Sequence, residues 1–179
     1  GRAIPYPRGR VLGGSSSING LIYVRGQPED FDHWAQLGNR GWGWDDVLPY
    51  FRKSEGWTGA PSDEHGTAGP LTTSPGADAP ELCRAAIEAA RQIGLEYRDD
   101  LNRMTHGLGD NIGWAQQTRG GRFRASTART YLSPAMRRPN LLLVTNALVR
   151  RVIFEGTRAV AVEFSRGGTT ERAEAGREV

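Results

Sequence analysis

Residues 9–20 read Gly-Arg-Val-Leu-Gly-Gly-Ser-Ser-Ser-Ile-Asn-Gly, and neither a helix nor a strand runs comfortably through them. Glycine loses most backbone freedom in a regular element, and serine side chains compete for main-chain hydrogen bonds. The stretch is therefore a shaped loop. It leads directly into the apolar Leu21-Ile22-Tyr23-Val24, which ties it to an ordered segment. Paired glycines let a backbone approach a ligand closely with its N–H groups turned inward. Three serine hydroxyls and a following helix start would add to the hold on an anion, and such a loop suits a diphosphate. Composition alone leaves two readings open: a nucleotide- or anion-binding module, and a plain surface loop.

The rest of the chain excludes several other classes. It contains no Gly-x-Gly-x-x-Gly, no Gly-x-x-x-x-Gly-Lys and no Gly-x-Ser-x-Gly, which argues against a self-contained dinucleotide fold, a P-loop and a serine hydrolase. Of the 23 basic residues only Lys53 is lysine, and the arginines are interleaved with 20 acidic residues to a net charge of +3. That scatter reflects codon bias in a GC-rich genome and forms no nucleic-acid patch. Arg119-Gly120-Gly121-Arg122-Phe123-Arg124 resembles an RNA-binding segment, yet it is single and precedes a capped helix. An Arg-rich RNA-binding protein is the least favoured alternative. The lone Cys83 excludes disulfide and cysteine-zinc frameworks, and on its helix it is expected to be a buried thiol. His33, His65 and His106 show no metal-ligand spacing and are expected to be structural or exposed. No run of about 18 apolar residues exists, so no membrane-spanning helix is expected.

Periodicity gives a mixed α/β (α+β) order of elements. Helices are predicted over residues 29–37, 45–55, 81–93 and 126–136. The second, capped by Asp45 or Asp46, carries Pro49 in its first turn, and the third has a buried stripe of Leu82, Ala86, Ile87, Ala90 and Ile93. Trp34, Trp42, Trp44 and Trp57 are expected to pack helices together rather than to cage a cation. Residues 56–80 and 97–125 read as long loops, with short strands at 71–73 and around 112–116. The apolar run at 140–145 predicts a strand buried on both faces. Residues 149–154 and 159–164 predict a hairpin, followed by a strand at 169–173 and the beginning of another at 177–179.

The segment Pro7-Arg8-Gly9 through Asn19-Gly20 resembles the first signature of the glucose–methanol–choline (GMC) oxidoreductases. The similarity continues through Tyr23-Val24-Arg25-Gly26, Gly41-Trp42-Gly43-Trp44, Ser126-Thr127-Ala128-Arg129, Arg138-Pro139-Asn140-Leu141 and Val149-Arg150-Arg151-Val152. It spans nearly the whole chain and looks most like bacterial choline dehydrogenase-like alcohol dehydrogenases. The resemblance implies a fragment of an FAD-binding fold with an interleaved substrate domain. Residues 1–75 would carry the flavin-contacting loop, 76–136 the substrate-domain helices, and 137–179 strands returning to the FAD domain. It implies that Arg10, Val11, Leu12, Gly13, Gly14, Ser15 and Ser16 wrap the FAD. Asn19, Gly20, Leu21 and Ile22 would lie against the flavin ring, and the backbone of Val149 would meet the adenine. Ile18 occupies the position at which some relatives carry a flavin-linking histidine, so non-covalent FAD is expected. The implied reaction oxidises a small-molecule alcohol to the aldehyde, with reoxidation by oxygen or another electron acceptor. The family's dinucleotide fingerprint and catalytic histidine match nothing here, so no catalytic residue and no metal ligand is expected, and the fragment is not expected to be active alone. The resemblance places the intact enzyme in the cytoplasm, free or associated with a membrane.

Overall fold

The computed structural model describes residues 1–76 and 80–179. The end of the predicted 56–80 loop, residues 77–79, lies outside the described residues. The chain divides into two compact units, residues 1–136 and 137–179.

In the first unit, a single 3₁₀ turn, Gly14–Ser17, leads to the short strand β1 (Ile22–Tyr23). Helix α1 (Pro28–Gln36) follows. Pro28 needs no N–H partner at the first position, and Asp30 accepts the Gln27 N–H at 2.9 Å. Gly38, at φ 102°, ends it as expected. Helix α2 (Trp44–Ser54) places Asp45 and Asp46 in its first turn and Arg52 and Lys53 in its last, both favourable to its dipole. Gly43 caps it, ahead of both aspartates, so it begins at Trp44 and Pro49 falls in the second turn. Phe31, Trp44 and Met104 form the buried cluster of this unit, with Val47, Leu48, Phe51 and Leu108 against it. Burying each such side chain contributes about 1.5–3 kcal/mol.

Strand β2 (Glu55–Trp57) continues straight out of α2 and pairs in parallel with β3 (Leu71–Thr73), Glu55 opposite Leu71. The loop reading is right for β3 and misses β2. The pair depends on glycines rather than on apolar periodicity: a Cβ on Gly56 or Gly69 would run into backbone across the pair. Helix α3 (Glu81–Gln92) is closed by Gly94. Its predicted stripe is only partly covered. Ala90 is buried and Ile87 half-buried, whereas Leu82 and Ile93 are about four-fifths exposed, at 79% and 81%. Periodicity identified the apolar face, but burial needs an element to cover it, and few described residues reach this helix. Cys83 is likewise exposed, not buried.

Three more pairings crowd the predicted 97–125 loop. Strand β4 (Glu96–Arg98) runs parallel to β5 (Asn111–Gly113), and β6 (Gln116–Gln117) pairs antiparallel with β1. Strands β7 (Arg119–Gly120) and β8 (Phe123–Arg124) make a minimal hairpin. The last predicted helix of this unit begins with a π-helical turn, Ala128–Leu132, and closes with α4 (Ser133–Ala135).

The second unit is a three-stranded antiparallel sheet of β9 (Leu148–Glu155), β10 (Arg158–Arg166) and β11 (Thr169–Glu174), in the order β11-β10-β9. Gly156, Gly167 and Gly168 take positive φ at the two turns, where other residues would be strained. Residues 141–144 form no strand and are exposed, Leu142 at 83%. An apolar run becomes a strand only where a neighbour offers a ladder, and none does among the described residues. Residues 177–179 are not a strand for the same reason.

Candidate functional site

The Gly/Ser loop is a built structure. Gly13 adopts φ 86° and Gly14 φ 54°, which bends the chain sharply into the 3₁₀ turn. Ser17 Oγ donates to the Leu12 carbonyl at 2.8 Å, and the Gly9 N–H donates to Ser15 Oγ at 3.2 Å. Gly9 lies so close to the turn that a Cβ would strike the Gly14 carbonyl. The outer face is open by contrast: a Cβ at Gly14 or Gly20 would meet nothing within 4 Å.

A distant part of the chain holds the loop in place. Ser16 Oγ accepts the Thr127 N–H at 3.0 Å, and Thr127 Oγ1 donates to the Gly13 carbonyl at 3.2 Å. A Cβ at Gly13 would come within 3.0 Å of the Ala128 Cβ. Arg124 Nη1 donates to both the carbonyl and Oδ1 of Asn19, each at 2.7 Å. The same Oδ1 accepts the Leu21 N–H at 3.2 Å. Asn19 thus has its oxygen committed to two donors. Leu21 sits at φ 68°, a conformation disfavoured for a branched side chain, and its carbonyl accepts the Thr118 N–H at 2.8 Å. Arg124 and Thr127 escaped the sequence reading as site-builders, although Arg124 sat in the motif considered for RNA. Its guanidinium is spent on Asn19, and Arg129 stacks on Phe123 at 4.4 Å, so that hairpin is structural.

Of the expected cofactor contacts, Arg10 through Gly14, Ser15, Ser16, Asn19, Gly20, Leu21 and Ile22 are contiguous along this loop and its exit into β1. Val11, Leu12, Ile18 and Ile22 are largely exposed there. Val149 lies in the other unit, on β9, the edge strand, next to a register shift. An edge strand leaves main-chain groups free to bond a ligand.

Immediately beyond β1 lies a feature the sequence did not signal. Arg25 Nη2 donates to Glu55 Oε2 at 2.7 Å with both side chains inaccessible to solvent. His65 Nδ1 is 2.8 Å from the same oxygen, and its Nε2 is 2.7 Å from Asp100 Oδ2. Thr73 Oγ1 donates to Glu55 Oε1 at 2.9 Å. The His65 ring stacks on Trp57 at 4.2 Å. Burial works against a charge on His65, but the hydrogen bonds to Asp100 and Glu55 and the charges of both carboxylates override it and raise its pKa to about 9. Burial likewise opposes ionisation of Glu55 and Asp100. Bonds from His65, with Thr73 on Glu55 and the Asn102 N–H on Asp100, hold both below the usual carboxylate range.

A second acid–histidine pair lies at the surface: His106 Nε2 and Asp32 Oδ2 are 2.7 Å apart and largely exposed. The hydrogen bond to Asp32 raises His106. The tryptophans split as well. Trp44 packs the helices, Trp34 and Trp42 meet edge to face at 5.9 Å near the surface, and Trp57 serves His65. Among the described residues no cluster of three or more His, Cys, Asp or Glu is placed to hold a metal ion, and no helix is long and apolar enough to cross a membrane.

The GMC oxidoreductase family model matches residues 1–179. An oxygen-dependent choline dehydrogenase from Sinorhizobium fredii is 45% identical over 178 residues, covering 99% of this chain and 32% of its own length. The protein of the same description from Brucella ovis is 46% identical over 179 residues, again covering 32% of its length. The chain therefore spans about a third of these relatives. Among solved structures, an FAD-dependent oxidoreductase from Chaetomium thermophilum superposes with a TM-score of 0.79 at 30% identity, over 94% of this chain and 31% of that one. Pyridoxine 4-oxidase from Mesorbium loti does so with a TM-score of 0.78 at 32% identity, over 93% and 33%. The mixed α/β chain belongs to the GMC oxidoreductase family.

Proposed function

We propose that this chain forms the flavin-facing part of an enzyme that oxidises a small-molecule alcohol to the aldehyde. The observation that carries the reading is the loop at residues 9–20. It is rigidly backed by Thr127, Ala128 and Arg124 and has an open glycine-faced outer surface. The donor set fits FAD: closely approachable backbone, serine hydroxyls and exposed apolar side chains on which a ring can rest. When bound, FAD supplies the two-electron acceptor for the alcohol's α-hydride. Arg10 to Ser16 would hold the cofactor, with the open backbone at Gly14 facing it. Asn19, its oxygen occupied by Arg124 and Leu21, would have only its amide N–H groups left to offer the ring, with the Gly20–Ile22 backbone as its neighbour. The edge backbone at Val149 is proposed to meet the adenine. In this reading residues 1–75 and 137–179 serve the FAD domain and residues 76–136 the substrate domain.

The chain supplies no base for the alcohol proton. His65, the only buried histidine among the described residues, is held charged between two carboxylates, so its ring has no lone pair to offer. The base comes from elsewhere in the protein. Ile18 has a saturated side chain that cannot bond a flavin covalently, so the cofactor is proposed to be dissociable. The exposed thiol of Cys83 suits a reducing compartment such as the cytoplasm.

The test uses the full-length protein. It should purify yellow and release FAD into the supernatant on acid precipitation. Flavin retained in the pellet would refute the dissociable cofactor, and a colourless protein that takes up no FAD would refute the reading itself. Asn19→Ala should lower kcat about tenfold or shift the flavin potential, in line with losing one hydrogen bond to a charge-bearing group.

A further inference from the structure

We propose that His65, clamped between Glu55 and Asp100, is a positioning residue that fixes β1 and hence the Leu21–Ile22 backbone of the candidate flavin site. The inference rests on the flavin reading of that site. Both ring nitrogens of His65 face carboxylate oxygens, at 2.8 and 2.7 Å, and its side chain is inaccessible to solvent. Only an imidazolium can donate to both; a neutral ring would turn a lone pair toward one carboxylate. With Arg25, the set holds two positive and two negative charges and balances inside the fold.

The clamp reaches β1 by unbroken contacts. Asp100 uses its other oxygen, Oδ1, to accept the Asn102 N–H at 2.9 Å and the Gln116 amide. Asn102 then grips the end of β1 from both sides. Its Oδ1 accepts the Arg25 N–H at 2.7 Å, and its Nδ2 donates to the Tyr23 carbonyl at 2.9 Å. Gln116 lies opposite Tyr23 in the ladder. From the other end of the clamp, Glu55 holds the Arg25 guanidinium. Leu21, two residues before Tyr23, is in a φ of 68° that persists only while its surroundings enforce it. A ring that lost its proton would leave one carboxylate buried without its donor and release tension from this chain of bonds. The charged and titratable groups around His65 are Glu55, Asp100 and, across Glu55, Arg25 and the Tyr23 phenol, which burial pushes above its ordinary pKa; the Trp57 face that covers it is neutral. The ring's pKa of about 9 places the loss in the alkaline range.

The experiment is run on the FAD-loaded full-length enzyme. In the parent protein the visible circular dichroism of the flavin should change between pH 7 and 10 with a midpoint near 9. His65→Gln, which offers one donor and one acceptor, should abolish that transition and lower kcat about tenfold or more. Asp100→Asn is the milder variant for use if His65→Gln does not fold. Its oxygen can still accept the Asn102 N–H while its amide donates to a neutral His65 ring, so it keeps the bonds but removes the proton that titrates: the flavin spectrum at pH 7 should stay parental and the alkaline transition should disappear. A folded variant with parental spectrum, kcat and alkaline transition overturns the proposal. Gly13→Val separates this from the underlying reading. If Gly13→Val loses FAD while His65→Gln is parental in every readout, only the positioning role fails. If Gly13→Val binds FAD normally, the flavin site itself is misassigned.

Discussion

The loop at residues 9–20 and the charged cluster around Glu55 are separated by one short strand, yet they are built on opposite principles. The loop is open on its outer side and is built of backbone and small neutral side chains from consecutive residues, clamped from behind by Arg124 and Thr127. The cluster is buried except for a partly exposed Asp100, and it uses four ionisable side chains from distant positions, Arg25, Glu55, His65 and Asp100. Neutral hydrogen bonds tolerate the loss of a partner because water can replace it. Buried charges do not, because nothing replaces the missing counter-charge. The proposed ligand surface is therefore made of replaceable contacts, while the framework behind it is made of irreplaceable ones.

The sharpest way to break this contrast is Glu55→Ala in the full-length protein. It strands Arg25 and His65 without their shared acceptor and should cost about 3–5 kcal/mol in chemical denaturation. A loss below about 1 kcal/mol would mean that the cluster is as forgiving as the loop. Gly13→Val comes next. A branched side chain at φ 86°, pressed on Ala128, should cost about 1–3 kcal/mol and reduce FAD content, read from the ratio of flavin to protein absorbance. An unchanged ratio would show that the flavin does not sit on this turn. The smallest effect belongs to His106→Ala. The same acid–histidine chemistry is exposed there, so solvent screens it and the denaturation midpoint should not move measurably. A shift comparable to that of Glu55→Ala would show that chemistry rather than burial sets the difference.

The same distinction decides what could be read from the sequence. The loop was legible because its glycines, serines and Asn19 are contiguous, and contiguous residues carry their own geometry. The hairpin of β9 and β10 was legible for a related reason: alternation and a turn glycine are local signals. The cluster was not. His65 looks like any loop histidine until Glu55, ten residues before it, and Asp100, 35 after it, are brought to its two nitrogens. The stripe of α3 and the apolar run at 141–144 failed in another way. Periodicity and composition say which groups would like burial, but only the packing partners determine whether they obtain it. Pro49 moved a turn inward because Gly43, rather than either aspartate, became the cap of α2.

The tie between the loop and Thr127 has a consequence in time. Ser16 and Thr127 are 111 residues apart, so the loop cannot be clamped until most of this unit has been synthesised. Closing so long a segment costs entropy that grows only slowly with length, but the closing contacts have to exist first. On the ribosome, at roughly 5–20 residues per second, the nascent loop waits several seconds or more for Arg124, Thr127 and Ala128. During that interval nothing from those positions holds Asn19 or the turn at Gly13. The proposed cofactor surface is therefore among the last parts of residues 1–136 to mature, although its own residues are among the first of them to be made.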